Sequence, residues 1–167
     1  MKESVEQAIN DQIQVEFQSA YGYLSMSARF EDLNFKGAAK WMRMQWQEEN
    51  MHAMKFFDFL IRRGGNPRLQ PLTAPEISFN THLEAFEIAL SSERKVTRLI
   101  HELYDLAVEK KDYSLRTLLH WFIDEQVEEE ESVEEIIQNF KLTGDSGEGL
   151  FLVDRELGQR IAEGGEE

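Results

Sequence analysis

Acidic, imidazole and amide side chains interrupt the apolar stripe near the middle of each of four long segments. They are Glu16, Glu49, His52, Glu93, Gln126 and Glu129. Residues three apart on a helix share a face, so Glu49 and His52 point in the same direction, as do Gln126 and Glu129. Burying four carboxylates together is strongly unfavourable unless a positive charge lies among them. No Lys or Arg occupies these stripe positions.

A divalent or trivalent metal ion is the simplest counter-charge for such a cluster. Carboxylate oxygens with one imidazole nitrogen suit iron or manganese better than a soft metal. The set matches the carboxylate-bridged di-metal sites of helical bundles, where two helices give one Glu each and another gives Glu-x-x-His. Each part alone is weak, because Glu-x-x-His is common on helix surfaces and acidic runs such as 128–131 are usually exposed. The prediction depends on four segments each carrying a ligand near the midpoint.

The placement of proline and glycine shows where helices can run. The three prolines, Pro67, Pro71 and Pro75, lie close together, shortly after Gly64-Gly65 in the chain. This grouping predicts a long connection from Gly64 to about residue 80. Apolar residues at spacings of three and four predict helices elsewhere. These helices cover about 3–32, 37–63, 81–109 and 113–141, with a short one over about 147–161.

The lengths of the connections predict how the helices are arranged. Segments of about 27–30 residues form helices of roughly 40–45 Å. Short links join helices one and two, and helices three and four, so each pair is expected to be an antiparallel hairpin. The long connection between the pairs can run from one end of the bundle to the other. We therefore expect an all-α, up-down-down-up four-helix bundle with one long crossover, formed as a single domain over 1–167.

Composition restricts the possible partners. The chain has 167 residues, of which 41% are hydrophobic, and 18 basic against 32 acidic residues give a net charge of −14. An acidic protein is repelled by nucleic acids and anionic membranes, so neither is an expected partner. The absence of Cys excludes disulfides, thiolate zinc sites and iron–sulfur clusters. No signal peptide or span of about 20 apolar residues is evident, which predicts a soluble, cytoplasmic protein.

The chain resembles the non-haem ferritins of bacteria and archaea along nearly its whole length. The stretches that carry this resemblance are AINDQIQVEFQSAYGYLSM (8–26), FKGAAKWMRMQWQEENMHAMKFFDFLIRRGG (35–65), LLHWFIDEQVEEEESVEEII (118–137) and GLFLVDRELGQR (149–160). The last looks like the family's fifth helix. The resemblance implies the ferritin-like fold, with the short C-terminal helix added to the four-helix bundle.

The resemblance also implies a role for each inward residue. Glu16, Glu49 and His52 would hold a first iron, and Glu49 would bridge to a second iron that Glu93 and Glu129 also bind. Gln126 would lie beside the pair, available to dioxygen or an iron-bound water. Tyr23 would be the nearby aromatic residue available for electron transfer.

A third iron site and the absence of haem are further implications. Glu48, Glu125 and Glu128, with Glu129 shared, resemble the third site of bacterial ferritins. Haem-containing bacterioferritins have Met directly after the bridging Glu, where this chain has Asn50. They also have a second Glu-x-x-His where Gln126 and Glu129 stand here. We therefore expect no haem.

The activity implied is oxidation of two Fe(II) by dioxygen or hydrogen peroxide, followed by storage as a ferric mineral. The family's assembly would be a hollow shell of 24 identical subunits, with the fifth helix at the four-fold axes. Two other classes fit the residue pattern. One is a structural bundle whose Glu residues face water. The other is a di-iron oxidase or peroxidase, although such peroxidases usually carry a Cys-rich domain that this chain lacks.

Overall fold

The computed structural model describes residues 1–144 and 146–160, which contain five helices and no strand. The helices are α1 Glu3–Asp32, α2 Lys36–Arg62, α3 His82–Glu109, α4 Tyr113–Thr143 and α5 Gly147–Leu157. The predicted all-α class is confirmed. Helix α4 continues two residues beyond the predicted end at 141, and α5 ends at Leu157. The predicted last residue of the short helix, 161, lies outside the described residues.

Contacts at the two ends of the bundle establish its up-down-down-up course. At one end, the guanidinium of Arg63, after α2, donates to both carboxylate oxygens of Asp112 before α4, at 2.8 and 3.0 Å. At the other end, the His82 ring at the start of α3 packs against Phe35 before α2 and Phe140 near the end of α4. Helices α2 and α3 therefore run in the same direction, and α4 returns.

The crossover between α2 and α3 is held along α1 by amide side chains. Gln18 donates to the backbone oxygen of Thr73 at 2.9 Å and accepts from its backbone nitrogen at 2.7 Å. Asn10 accepts from the backbone nitrogen of Arg68 at 2.6 Å. These bonds satisfy extended backbone that has no neighbouring strand, which explains how a long connection without regular structure stays ordered.

Apolar residues form two clusters, one toward each end of the bundle. One cluster includes Phe30, Trp41 and Phe86 and lies at the end where α5 packs. The other includes Phe56 and Phe122, whose rings stack 4.1 Å apart. The polar stripe residues lie between the clusters, so their helices are held together on both sides by apolar packing.

Helix α5 provides the N-terminal cap that α2 lacks. The N-cap residue Phe35 makes no side-chain cap bond. Instead, the carboxylate of Asp154 accepts from the backbone nitrogens of Gly37 and Ala38 at 3.1 and 2.8 Å. A Cβ atom on Gly37 would lie 1.6 Å from the backbone oxygen of Asp154, so only glycine permits this approach. The position of α5 is thus specified by the start of α2.

We expect Asp154→Ala to loosen the attachment of α5. The variant leaves two backbone donors of α2 without an acceptor, at a cost of about 1 kcal/mol. Hydrogen exchange of the α5 amides should become faster, while the middle of α2 stays protected. The control is Glu156→Ala, which removes an exposed carboxylate from the same helix. Equal exchange in both variants would contradict the assignment of Asp154 as the cap.

Candidate metal centre

The structure brings the six inward polar residues together in the interior of the bundle. All are buried, with relative exposures between 0% and 6%. They are Glu16, Glu49, His52, Glu93, Gln126 and Glu129. The reading in which these Glu side chains face water is therefore wrong for all four carboxylates.

The first part of the centre lies between α1 and α2. Glu16, Glu49 and His52 each place one ligand atom within 4.8 Å of the other two. Gln12, one turn before Glu16, donates to Glu16 Oε1 at 2.7 Å. Among the described residues, Glu16 Oε2 and both carboxylate oxygens of Glu49 are buried without a hydrogen-bond partner. Buried carboxylate oxygens normally have hydrogen-bond partners. These three atoms have none among the described residues, which leaves them available to a metal ion.

His52 also contributes to a second group of ligands, with α4. Its Nδ1 lies 3.7 Å from Glu49 Oε2, and its Nε2 lies 3.7 Å from Glu125 Oε1. His52, Glu125 and Glu129 have ligand atoms within 4.8 Å of one another. The resemblance assigned His52 to the first iron alone. In the structure the ring lies between the two groups, with one nitrogen toward each.

Glu93 is oriented by hydrogen bonds from two sides. The Tyr23 hydroxyl donates a short hydrogen bond to Glu93 Oε1. Gln126 Nε2 lies 3.3 Å from Glu93 Oε2 and 3.1 Å from Thr97 Oγ1. Thr97 in turn donates to Glu130 at 2.6 Å. Because the threonine hydroxyl gives its proton to Glu130, it accepts from Gln126, and this fixes which end of the Gln126 amide faces Glu93.

Glu129 is held by a second glutamine. Gln45 Nε2 donates to Glu129 Oε2 at 2.7 Å. The oxygen of the same amide accepts a short hydrogen bond from Arg160, which follows α5. Arg160 also donates to both carboxylate oxygens of Glu48, at 2.8 and 3.0 Å. A cation therefore does reach this region, from outside the four long helices.

The electrostatics reflect carboxylates placed together without enough positive charge. Burial raises the pKa of Glu49 well above its usual value, and the neighbouring Glu93 charge raises it further. Burial also raises the pKa of Glu16 and of Glu93. Burial and the charge of Glu93 raise the pKa of Glu129 to about 8. Burial alone would lower the pKa of His52, but contacts with Glu125 and Glu49 outweigh it and raise the pKa to about 11. Multivalent cations would relieve this repulsion.

The proposed third-site residues are in different surroundings. Glu125 and Glu129 belong to the second ligand group. Glu48 is buried beside Arg160, and its charge acts on Glu129. Glu128 is solvent-exposed and belongs to neither of the two metal-sized groups formed by the described residues. The third site stays a prediction.

Sequence reasoning missed the residues that support the ligands. Gln12 lies four residues before Glu16, a spacing that could have indicated their contact across one helical turn. Thr97 stands four residues after Glu93 and could have been found in the same way. Gln45 lies on the inward face of α2, but it contacts Glu129 on α4, which no spacing along α2 indicates. Nothing in the local pattern indicates Arg160, because its position depends on how α5 folds back onto α2.

Buried carboxylates and an imidazole at the centre of a four-helix bundle are the arrangement found in helical carboxylate metalloproteins. Residues 6–143 match the ferritin-like domain family. The chain is 40% identical over 160 residues to the bacterial non-heme ferritin of Bacteroides fragilis (strain 638R), covering 96% of this chain and 99% of that one. It is 36% identical over 154 residues to the bacterial non-heme ferritin of Staphylococcus aureus (strain USA300), covering 92% and 93%.

Solved structures that resemble this chain are also ferritins. An open-pore ferritin from the hyperthermophilic archaeon Archaeoglobus fulgidus superposes with a TM-score of 0.95 at 42% identity, covering 96% of this chain and 99% of that chain. The chain belongs to the ferritin family, and the resemblance seen in the sequence is confirmed. Within the described part of the chain, no helix is long and apolar enough to cross a membrane.

Proposed function

We propose that the protein is an iron-storage ferritin with ferroxidase activity at a di-iron centre inside each subunit. The observation that carries the proposal is Glu49, whose two carboxylate oxygens are buried without a hydrogen-bond partner among the described residues. One ligand atom of Glu49 lies within 4.8 Å of ligand atoms of Glu16 and His52. A carboxylate that binds two cations through its two oxygens needs both of them available. Burying this cluster of carboxylates is unfavourable without positive charge, and a pair of iron ions would neutralise it.

Each ligand has a proposed role. Glu16 and His52 bind the first iron, and Glu93 and Glu129 bind the second, with Glu49 shared. Gln126 stays outside the ligand set and offers its amide to dioxygen or water. The Tyr23 hydroxyl donates to Glu93, and its ring is the nearby aromatic group available for electron transfer. Hard oxygen ligands and negative charge favour Fe(III) over Fe(II), which promotes oxidation.

The proposed reaction balances within the pair of iron ions. Each Fe(II) loses one electron, and two electrons with two protons convert dioxygen to hydrogen peroxide, or hydrogen peroxide to two waters. Some protons come from the carboxyl groups themselves, because a ligand must be deprotonated to bind metal. Oxidised iron then moves to the interior of the assembly as a ferric oxide-hydroxide mineral.

Storage requires an enclosed space, which one bundle cannot provide. We propose a 24-subunit shell, in the cytoplasm, as in the family implied by the sequence. Large apolar side chains remain exposed on the single subunit, including Met51, Met54, Trp121, Val127 and Phe151. Their exposure fits helix faces that are covered by neighbouring subunits. Light scattering of the purified protein should give the mass of 24 chains; a dimer or a twelve-mer would contradict this assembly.

Iron loading tests the storage function itself. Apoprotein given Fe(II) in air, in portions well above two ions per subunit, should remain soluble and show electron-dense cores inside protein shells by electron microscopy. A di-iron oxidase would oxidise the first two ions per subunit and release or precipitate the rest. Iron uptake that stops at two ions per subunit would therefore overturn storage while leaving the metal centre intact.

Replacing Tyr23 by Phe separates the role of this hydroxyl from that of the ligands. The variant removes the hydrogen bond to Glu93 but keeps the buried ring, which packs edge-on to Trp41. We expect Fe(II) oxidation to slow by a few-fold, about the effect of losing one oriented hydrogen bond of roughly 1 kcal/mol. Binding of two Zn(II) ions per subunit should be retained.

Stopped-flow absorbance and calorimetry measure these two quantities, and Tyr21→Phe, at an exposed position on the same helix, is the matched control. An oxidation rate in Tyr23→Phe equal to that of the control would show that the hydroxyl has no part in the reaction.

A further inference from the structure

Arg160 brings a positive charge to the edge of the metal centre from a distant part of the sequence. It follows α5, whereas the residues it contacts are on α2. Its guanidinium forms a bidentate ion pair with Glu48 and donates a hydrogen bond to Gln45. The guanidinium carbon lies 4.9 Å from the ring centre of Trp41. The side chain of Arg160 is 21% exposed and that of Glu48 is 7% exposed. The attraction between charges that are sheltered from water is screened less than the attraction between exposed charges.

The contact with Gln45 carries the influence of Arg160 to a candidate iron ligand. An arginine side chain has only donors, so the Gln45 oxygen must face it. The amide nitrogen of Gln45 must then face the opposite side, where it donates to Glu129 at 2.7 Å. Arg160 thereby fixes the Gln45 amide in the orientation that presents a donor, and not an oxygen ligand, to Glu129.

The same guanidinium occupies ligand atoms of the candidate third metal position. Both carboxylate oxygens of Glu48 accept from Arg160. A metal ion bound by Glu48 and Glu129 would need these oxygens and would be repelled by the arginine charge. The ion and the guanidinium are therefore competitors for one location.

We propose that Arg160 is a positioning residue that holds Glu48 and Gln45 and keeps the third metal position closed until it is displaced. This inference rests on the proposed function, since it concerns access to the same metal centre. Displacement of Arg160 would remove the guanidinium from both Glu48 carboxylate oxygens and let the Gln45 amide rotate to offer its oxygen. Because Arg160 follows α5 directly, filling the third position also weakens the attachment of this helix, and by linkage a loosened α5 favours the third ion.

The test is calorimetric titration of the assembled apoprotein with Zn(II), a redox-inert probe, in wild type and Arg160→Gln. We expect two tightly bound ions per subunit in both proteins. The third ion should bind about tenfold more tightly in Arg160→Gln, because it no longer competes with a charge-assisted ion pair. Arg160→Lys keeps the charge but loses the planar group that donates to two oxygens at once, so its affinity for the third ion should be intermediate. The control is Arg155→Gln, which removes the same charge from an exposed position on α5.

Hydrogen exchange supplies a second readout that a purely structural role would not give. In wild type, Zn(II) beyond two equivalents should speed exchange of the α5 amides. In Arg160→Gln, exchange should be fast from the start and insensitive to the added ion. A third-ion affinity that is the same in wild type, Arg160→Gln and Arg155→Gln, including the case in which no third ion binds, overturns the inference. Loss of the two tight ions from wild type itself would instead overturn the proposed function.

Discussion

Glu49→Gln is expected to abolish the fast phase of Fe(II) oxidation, with a loss of about a hundredfold or more in rate. Glutamine keeps the size of the side chain but not the negative charge, and its amide nitrogen cannot coordinate iron while it carries two protons. The bridge between the two iron positions would be lost, and each ion would then bind without a shared ligand. Because oxidation takes one electron from each of two ions, separating them affects the chemistry and not only the affinity.

Stopped-flow absorbance after mixing Fe(II) with aerated protein measures this rate. The matched control is Asp58→Asn, an exposed position on α2 that removes the same charge. His52→Ala should show a similar loss because it removes the one imidazole of the ligand groups. A fast phase in Glu49→Gln within twofold of the control would exclude Glu49 as the bridge.

Stability should change in the opposite direction to activity in this variant. Burial and the charge of Glu93 raise the pKa of Glu49 well above its usual value. Keeping this carboxyl group in the metal-free fold therefore lowers the free energy of unfolding at neutral pH. An amide has no charge to desolvate, and apo Glu49→Gln should resist urea better than the apo wild type. Gain of stability with loss of activity is the behaviour expected of a residue that serves function at a cost to the fold.

The fold could be predicted from the sequence because the residues that interrupt helices lie in only a few places. All prolines lie in one connection, between Pro67 and Pro75, and the remaining chain has helical periodicity. A long connection between two short-linked hairpins permits few arrangements, and the observed bundle is the one expected. Helix ends were less well defined, since α4 continues through Thr143 before Gly144 ends it.

The candidate ligands could be recognised because charge in an apolar stripe is costly and needs a reason. Their individual geometry could not. The periodicity placed His52 on the same face as Glu49, but only the packed structure shows its second nitrogen toward Glu125. Arg160 is the clearest limit, because no spacing along a helix connects it to Gln45 or Glu48. Contacts between elements distant in sequence depend on how α5 packs, and that packing depends on Asp154 meeting the start of α2.

The stability of the metal-free protein is expected to fall as pH rises from about 5 to 8. Burial raises the pKa of Glu129 to about 8 from an ordinary value of 4.5. The folded state therefore keeps a proton at this carboxyl that the unfolded state has already released, and stability declines as pH increases through this window. The slope for one such group is about 1.4 kcal/mol per pH unit at most. The raised pKa of Glu49 adds to the decline in the same direction.

Two histidines act on this slope in opposite ways. Contacts with Glu125 and Glu49 outweigh burial and raise the pKa of His52 to about 11, so its stabilising effect is present below pH 6.5 and declines above it. Burial lowers the pKa of His82, which makes stability increase with pH near 6.5. Because one group opposes several, the net slope should remain negative. Urea unfolding of the apoprotein at pH 5.5 and pH 8, at one protein concentration, measures it, with Glu129→Gln as the comparison that should show a shallower slope.

Saturating Zn(II) should reverse the sign of this dependence. Carboxylates and the imidazole must lose their protons to bind the ion, so metal affinity increases with pH over the range in which the apoprotein weakens. The bound ions stabilise the folded state in proportion to the logarithm of their concentration over the dissociation constant. A metal-loaded protein should therefore be more stable at pH 8 than at pH 5.5. If the apoprotein were equally stable at both values and Zn(II) left the profile unchanged, the buried carboxylates could not be metal ligands, whatever their distances.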